Sequence, residues 1–581
     1  MLWTRQALTK ADQEWFEGLS STMTLHLWTA DEIDNLLVGQ ANVFRSTYFG
    51  DLILTPDFLR ERHDHSVAPI RGRWQPEVHQ VVDAERSLRR MLGESGSWDE
   101  LRALAVDLRS QADAAQTAPA VPPPFASSVS GVVETARLFA DALERVADAV
   151  RAGDIDLLRD EISAQPGALT AEVATAPRRL RSGNHLAGLY VTNAVAGCRE
   201  ALHLFSEIEE AFSSHVVALV APAGCGKTHL AAQLTAPTNS RPAGMLLYGR
   251  DLHASHTLDD LARRVTVAGQ PVQTLELLLA AVDAAGQRAR HRLPVVIDGL
   301  NESEDPRVWK AELASLERVL AKYPYVLLVS TIRPEFQDEA LPDGTRCVEI
   351  ADYGVDAIEA IRLYFRHWKI DATDASLPGF LRHPLTLRLF CEVTNPTRKK
   401  TVGIDAMPGS LTALFDRYLD QIGDRIADLA PRTQRYYAQD VRAALTTFAE
   451  LLWESRSRSM GLSELRKALG DDGRPWDQSL VRALEHEGVL LRMPSDHGDA
   501  YVPVYDRIGG HLIATALLTQ HGRAGFETWI REPTTTALLA GDYDERHPLG
   551  DDIVYSLVGQ IPRRFYSKQL WQLVDEPIRA R

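Results

Sequence analysis

Between residues 214 and 350 the chain alternates short, almost wholly apolar runs with longer stretches in which apolar residues return every third or fourth position. The runs fall at 216–220, 245–248, 295–297, 326–329 and 347–350. Strands that are apolar on both faces need covering on both faces, which is the situation of a parallel sheet between two layers of helices. The pattern therefore predicts an α/β domain with a five-stranded parallel sheet over 206–352.

On either side of this block the periodicity is helical. Residues 131–205 repeat apolar positions at helix spacing, as in Val132, Ala136, Leu138, Phe139 and Leu143, and are expected to form a helical adaptor. Residues 353–432 read as a helical domain, with helices over 358–368, 377–391 and 411–426. Over 433–520 three helices precede two apolar segments, 489–493 and 501–505, around the turn Ser495-Asp496-His497-Gly498-Asp499, which predicts a winged-helix domain. Residues 521–581 are the start of a further helical region. At the other end, the alternating Thr24-Leu25-His26-Leu27-Trp28 followed by Ile33, Leu36 and Leu37 reads as a strand feeding a helix, so 1–111 is expected to be a small α/β domain. The run of three prolines at 122–124 predicts an extended linker over 112–130.

Length agrees with several domains, since single cores stop growing at roughly 250–300 residues and the chain has 581. The formal net charge of −16 argues against bulk electrostatic wrapping around nucleic acid. No apolar run approaches a membrane span and the N-terminus lacks the apolar centre of a secretory signal, so the expected location is cytoplasmic, with no membrane partner. The four cysteines, Cys198, Cys225, Cys347 and Cys391, show no CxxC pairing and suggest neither zinc site nor disulfide framework. Glu61-Arg62-His63-Asp64-His65 places two histidines around an aspartate, but one polar segment lacks the separate further ligands of a stable metal site.

The candidate chemistry lies at the ends of the apolar runs. Ala221-Pro222-Ala223-Gly224-Cys225-Gly226-Lys227-Thr228 follows the first run and precedes a helical segment beginning at His229. Small residues there let backbone N–H groups converge on phosphate oxygens at a helix N-terminus, with Lys227 reaching the β/γ-phosphates and the Thr228 hydroxyl ligating Mg²⁺. Ala223, Gly224, Cys225, Gly226, Lys227, Thr228 and His229 are the expected phosphate contacts, for ATP or ADP. The first position is Ala221 rather than the glycine of the strict motif, and Cys225 reads more simply as a small filler than as a reactive thiol. Asp298 ends the third run and emerges at the carboxyl edge of the sheet, as a second Mg²⁺ ligand. Glu302, four residues on, is a candidate to orient or deprotonate an attacking water, and Arg333 to sense the γ-phosphate. The alternative readings are a solvated surface charge for Glu302 and a surface ion pair for Arg333.

Taken together these motifs, over roughly 190–520, resemble the STAND class of signal-transduction ATPases, in particular the NACHT-like and antiviral STAND proteins of bacteria. Val296-Ile297-Asp298-Gly299-Leu300-Asn301-Glu302 is similar to that class's acidic strand, with Asn301 in place of its second aspartate, which implies slow hydrolysis. Ser330-Thr331-Ile332-Arg333-Pro334 resembles its sensor strand. Ala196-Gly197-Cys198-Arg199-Glu200 resembles a loosened form of its Gly-Arg-Glu segment, which implies that Arg199 helps enclose the adenine. Arg382-His383-Pro384-Leu385-Thr386-Leu387 resembles the helical-domain motif whose proline, here Pro384, packs near the base, and Tyr505 stands where many relatives place a phosphate-touching histidine. The segment from Leu8 to Leu37 is similar to the distal part of a restriction-endonuclease-like domain. No metal-binding carboxylate pair with a lysine precedes the linker, so the catalytic half would lie upstream of Met1 or be lost.

The resemblance implies a switch. ADP holds the domains closed, and a sensed trigger, such as a phage protein, permits exchange to ATP and formation of a homo-oligomer that activates an effector. Nucleic acid would be met only through an N-terminal effector. About 60 residues follow position 520, too few for a long repeat sensor, so the chain is a fragment or senses in another way. The rival reading is an ATPase motor or loader that remodels protein or nucleic acid by steady turnover. A small-molecule kinase leaves the helical and winged-helix segments unexplained. DNA binding by the helix near 479–487 is disfavoured by Glu485 and Glu487 beside Arg482.

Overall fold

The computed structural model describes residues 2–3, 15, 27–28, 52–70, 74–94, 96–118, 123–181, 187–252, 257–267, 269–303, 305–350, 352–372, 377, 379–404, 410–429, 436–495, 498–542, 544–566, 572 and 574. The expected helix at Ile33–Leu37, most of the nuclease-like segment and the tip of the turn at 496–497 lie outside the described residues. Of the expected N-terminal strand, Leu27–Trp28 pairs in parallel with Leu2–Trp3. The chain divides into two compact units.

The first unit comprises residues 1–74, 83–220 and 228–349. Helix α1 (Pro56–Val67) starts on a Thr55 cap that accepts from Phe58 N–H, with proline in the first turn. It carries the two-histidine segment, and His63 is a core residue, 1% exposed, whose Nε2 lies 3.0 Å from Ala232 O while its ring meets Trp74 edge-on. Next come α2 (Asp83–Met91), α3 (Asp99–Thr117), α4 (Pro123–Ala152), α5 (Ile155–Ser163), α6 (Ala171–Arg181) and α7 (Ala187–Ser213). Helices α3, α4 and α7 pack side by side. Val132, Ala136, Phe139, Leu143 and Val146 form the buried stripe of α4, and Phe139 stacks on Phe205 of α7. Leu138, expected in that stripe, is 55% exposed.

The structure shortens the expected linker. Helix α3 ends at Thr117 and α4 begins at Pro123, so helix covers most of 112–130 and the connection reduces to residues 118–122, of which 119–122 lie outside the described residues. Proline lacks only an N–H that the first helical turn leaves unbonded anyway, so Pro123 and Pro124 open a helix instead of forbidding one. The matching apolar stripes of α3 and α4 then draw the two helices together, tied by Arg109 to Asp141 and Glu144. Helical packing thus begins well before residue 131 and continues to Ser213.

The sheet consists of β1 (Val216–Val220), β2 (Met245–Tyr248), β3 (Leu293–Asp298), β4 (Val326–Ile332) and β5 (Arg346–Glu349). Its order is β2-β3-β4-β1-β5 and every pairing is parallel. Every residue of β1 to β4 is buried, as their largely apolar composition requires. The edge strand β5 is half-buried and carries Arg346 and Glu349, so it departs from the two-faced pattern expected of it. Helices α8 (Lys227–Thr235), α9 (Leu258–Arg263), α10 (Leu275–Ala289) and α11 (Val308–Leu320) complete the α/β layer around a core that includes Trp309.

At the amino edge of the sheet the guanidinium of Arg292 is buried. It donates to Met91 O (3.2 Å), Ala211 O (3.1 Å) and Ser214 O (2.6 Å) and lies 3.2 Å from His215 Nδ1. One side chain thereby joins the ends of α2 and α7 to the start of β3.

The second unit comprises residues 75–82, 221–227 and 350–581. Its helices are α12 (Ala357–Trp368), α13 (Pro384–Thr394), α14 (Leu411–Leu429), α15 (Ala438–Glu454), α16 (Leu462–Ala468), α17 (Leu480–His486), α18 (Asp506–Ile530), α19 (Pro533–Ala540) and α20 (Gly550–Phe565). Strands β6 (Met460–Gly461), β7 (Leu490–Ser495) and β8 (Gly498–Pro503) form an antiparallel sheet of order β6-β8-β7. The expected helix from 377 starts instead at Pro384, after a 3-10 turn at Gly379–Arg382, because the residue before a proline is pushed out of helical backbone geometry. A single cluster of buried side chains runs from Tyr353 to Val574, while α18 is two helical stretches that meet at a non-helical Gly522 (φ 58°, ψ −177°), close to the border drawn at 520. The segments 353–432, 433–520 and 521–581 therefore share one core. Among the described residues no helix is long and apolar enough to cross a membrane.

Arg292→Ala removes the donor shared by three carbonyls and His215. It is expected to cost about 3 kcal/mol or more, read as an earlier midpoint in urea unfolding followed by tryptophan fluorescence; an unchanged midpoint would show that the four acceptors find other partners.

Candidate functional site

The loop between β1 and α8 turns through two glycines in left-handed conformation, Gly224 at φ 81° and Gly226 at φ 94°. A side chain at either would strain the backbone, which explains both glycines locally. The loop groups by contact with the second unit. Gly224 O accepts from Leu385 N–H at 3.2 Å, and a Cβ at Gly224 would lie 2.9 Å from both His383 Cε1 and Leu385 Cδ2. Cys225 is buried, with its Sγ 3.4 Å from His383 Nε2. Burial, followed by the charge of Arg507, depresses the His383 pKa to about 4, so the ring beside the thiol is neutral at neutral pH. Pro384 opens α13 between these two contact residues. The Lys227 ammonium donates to the loop's own carbonyls, Ala221 O and, at 2.9 Å, Pro222 O.

Within the first unit, Asp298 stands at the carboxyl end of β3, 4% exposed. Its Oδ1 accepts from Thr331 Oγ1 at 2.6 Å, and Thr331 Oγ1 in turn accepts from Gly299 N–H at 2.8 Å. The Thr228 hydroxyl donates a further hydrogen bond to the same carboxylate. Burial and the neighbouring charge of Glu302 raise the Asp298 pKa; the two threonine hydroxyls and the Arg250 guanidinium oppose the shift. Glu302 belongs to a single 3-10 turn that follows Gly299, whose φ is 78°. Its Oε2 lies 3.9 Å from Arg250 Nη1, and Arg250 itself covers the Tyr248 ring at 4.1 Å. A solvated surface charge does not describe this half-buried glutamate. Arg333 follows β4, caps the turn Pro334–Phe336 and is 7% exposed.

The structure thus joins Thr228, Asp298 and Glu302, with Arg250 and Thr331 as additions that sequence reading did not assign. The two hydroxyls, Ser330 and Thr331, at the end of the otherwise aliphatic β4 were the available signal for Thr331, since a buried hydroxyl needs an acceptor. His383 was quoted for its motif but given no role. His229 is half-buried in the first turn of α8. Arg199 lies elsewhere, on the exposed side of the 27-residue α7, while Gly197 faces Leu108 of α3. Tyr505 caps α18 and packs against the second unit's core. Hard oxygen donors from Thr228 and Asp298 suit a magnesium ion, and the glycine loop suits a polyphosphate.

No protein-family model matches the chain, and no curated protein matches it. Among solved structures it is similar to Cdc6p from Pyrobaculum aerophilum, at 12% identity over 52% of this chain and 88% of that one, with a TM-score of 0.21. So loose a likeness decides nothing. The chain's own arrangement gives the class: it is an α/β protein whose five parallel strands in the order β2-β3-β4-β1-β5, glycine loop after β1 and buried acid ending β3 are consistent with a P-loop NTPase fold.

Because the folded state raises the Asp298 pKa, that group favours folding most below its ordinary range near 4 and loses that contribution as pH rises through the raised value. Asp298→Asn without nucleotide should therefore melt at or above the parent at neutral pH, and the difference should vanish on acidification. A variant that melts lower at neutral pH overturns the burial-dominated account of this carboxylate.

Proposed function

We propose that the chain is a nucleotide-controlled switch of the STAND class, NACHT-like in its domains, serving bacterial antiviral defence or signalling. One observation carries the reading: the phosphate loop is bonded through Gly224 O to Leu385 N–H and lies against His383, so a change in the loop acts on α13 directly. The succession α15, β6, α16, α17, β7, β8 supports a winged-helix reading of 433–520.

On this reading ATP or ADP lies on Ala223–His229 with Lys227 on its phosphates, and Thr228 and Asp298 hold Mg²⁺. Glu302 orients water for slow hydrolysis, Arg333 senses the γ-phosphate and Pro384 packs near the base. A trigger, such as a phage protein, shifts the balance between two packings towards a homo-oligomer. The second reading, a motor or loader with steady turnover, draws support from Glu302, whose charge is close enough to raise the Asp298 pKa.

Calorimetric titration should give saturable heat with Mg·ATP and Mg·ADP for the parent and none for Lys227→Ala. Heat from neither nucleotide would remove the basis of both readings. Gel filtration with ADP, with ATP and with ATP plus trigger separates them. A switch changes its assembly and turns over slowly, whereas a motor hydrolyses ATP steadily without a trigger.

A further inference from the structure

Five cations gather on one surface of the helical unit. Arg366 and Lys369 stand at the end of α12, and Arg398, Lys399 and Lys400 lie in the turn after α13. The two segments are pinned together by the amide of Asn395, 4% exposed, which donates to Trp368 O at 2.8 Å, Lys369 O at 3.3 Å and Lys400 O at 2.8 Å. Ile370–Asp371 then pairs in parallel with Val402–Gly403. Arg398 covers the Trp368 ring at 4.0 Å and donates to His367 Nε2. Arg366, Lys369, Lys399 and Lys400 are exposed, and among the described residues none of the four forms an ion pair. Arg362, one turn earlier on α12, does meet an acid, Glu359 at 3.5 Å. The chain has nine lysines and three of them stand here, so the cluster is not the chain's average surface. Fixing like charges side by side costs the fold energy. The backbone adds to that cost, since Lys369 and Arg398 both take left-handed geometry at φ 52°, where glycine would be unstrained. The α12 dipole favours cations at its carboxyl end, which accounts for Arg366 and Lys369 but not for three more from another segment.

We propose that this surface binds the phosphate backbone of nucleic acid. The proposal stands independently of the nucleotide reading of the glycine loop. An acidic protein face is the other anion of suitable charge, but protein interfaces centre on apolar side chains and are poor in lysine. No large apolar side chain is exposed within 366–369 or 398–400, and interfaces with nucleic acid are polar and strongly basic. The net charge of −16 does not oppose a local contact, because physiological salt screens charge beyond about 8 Å. The acids of the neighbourhood are Asp371, and Glu77, whose charge acts on His367. Contacts to phosphates carry no sequence information, so binding is independent of base sequence.

The test is fluorescence anisotropy of the full chain with labelled, mixed-sequence probes, a DNA duplex, single-stranded DNA and single-stranded RNA, titrated at several salt concentrations. The parent is expected to bind at least one probe, and for the duplex the logarithm of affinity should fall against that of salt with a slope of about −3 to −4. Lys399→Glu with Lys400→Glu is expected to bind about tenfold more weakly or worse and to flatten that slope. Both side chains are exposed, so this protein should melt with the parent. Lys467→Glu with Arg482→Glu makes the same change of net charge at exposed positions of α16 and α17 and should bind as the parent does. A parent that binds no probe at low salt, a 399/400 variant that binds as tightly as the parent, or equal losses in both variants overturns the assignment. Salt-sensitive self-association in sedimentation, lost in the 399/400 variant alone while no probe binds, would overturn it too and make the surface a contact between copies of the chain.

Discussion

Burying four parallel strands on both faces sends the polar chemistry of the sheet to its two ends. Along β1 to β4 every position is buried, and the strands are largely aliphatic until they reach the carboxyl edge. Asp298, Thr331 and Arg333 gather there, beside the end of β1 from which the glycine loop departs. At the amino edge Arg292 serves the opposite purpose, spending its donors on carbonyls and one imidazole that would otherwise be buried without partners. One end of the sheet is tied down, and the other holds a carboxylate in an environment that disfavours its charge.

That disfavoured charge gives the acidic strand its chemistry. Two hydroxyls and a nearby guanidinium only partly offset the burial of Asp298 and the repulsion from Glu302, so a hard cation placed against it would relieve both. Such a carboxylate is costly in the chain by itself and explicable if a metal ion is its partner, which is how functional sites commonly depart from the rules that govern cores.

The helical unit adds the mechanical side. Its single core joins three segments that periodicity alone divides, although the helical backbone of α18 is interrupted at Gly522, close to the border expected at 520. A loop bonded to α13 is thereby bonded to an element embedded in one large core, through Leu385, Leu387 and Phe390. Small displacements of the loop are then opposed or transmitted by close packing, because packed interiors do not deform continuously.

The sequence by itself determined the strands of the sheet, the glycine loop after β1 and the place of Asp298. Buried parallel strands read as continuous apolar runs, and the residues ending them have nowhere to point but the edge. Tertiary structure alone decided the rest. Whether Pro123 breaks or begins a helix depended on a partner stripe in α3, and whether Leu138 or Phe139 faces inward depended on the exact rotation of α4. Thr331 reaches Asp298 only because β3 and β4 pair in register, and His383 and Leu385 come to the loop from more than 150 residues away. Such meetings are fixed by packing between distant segments, which local periodicity does not encode.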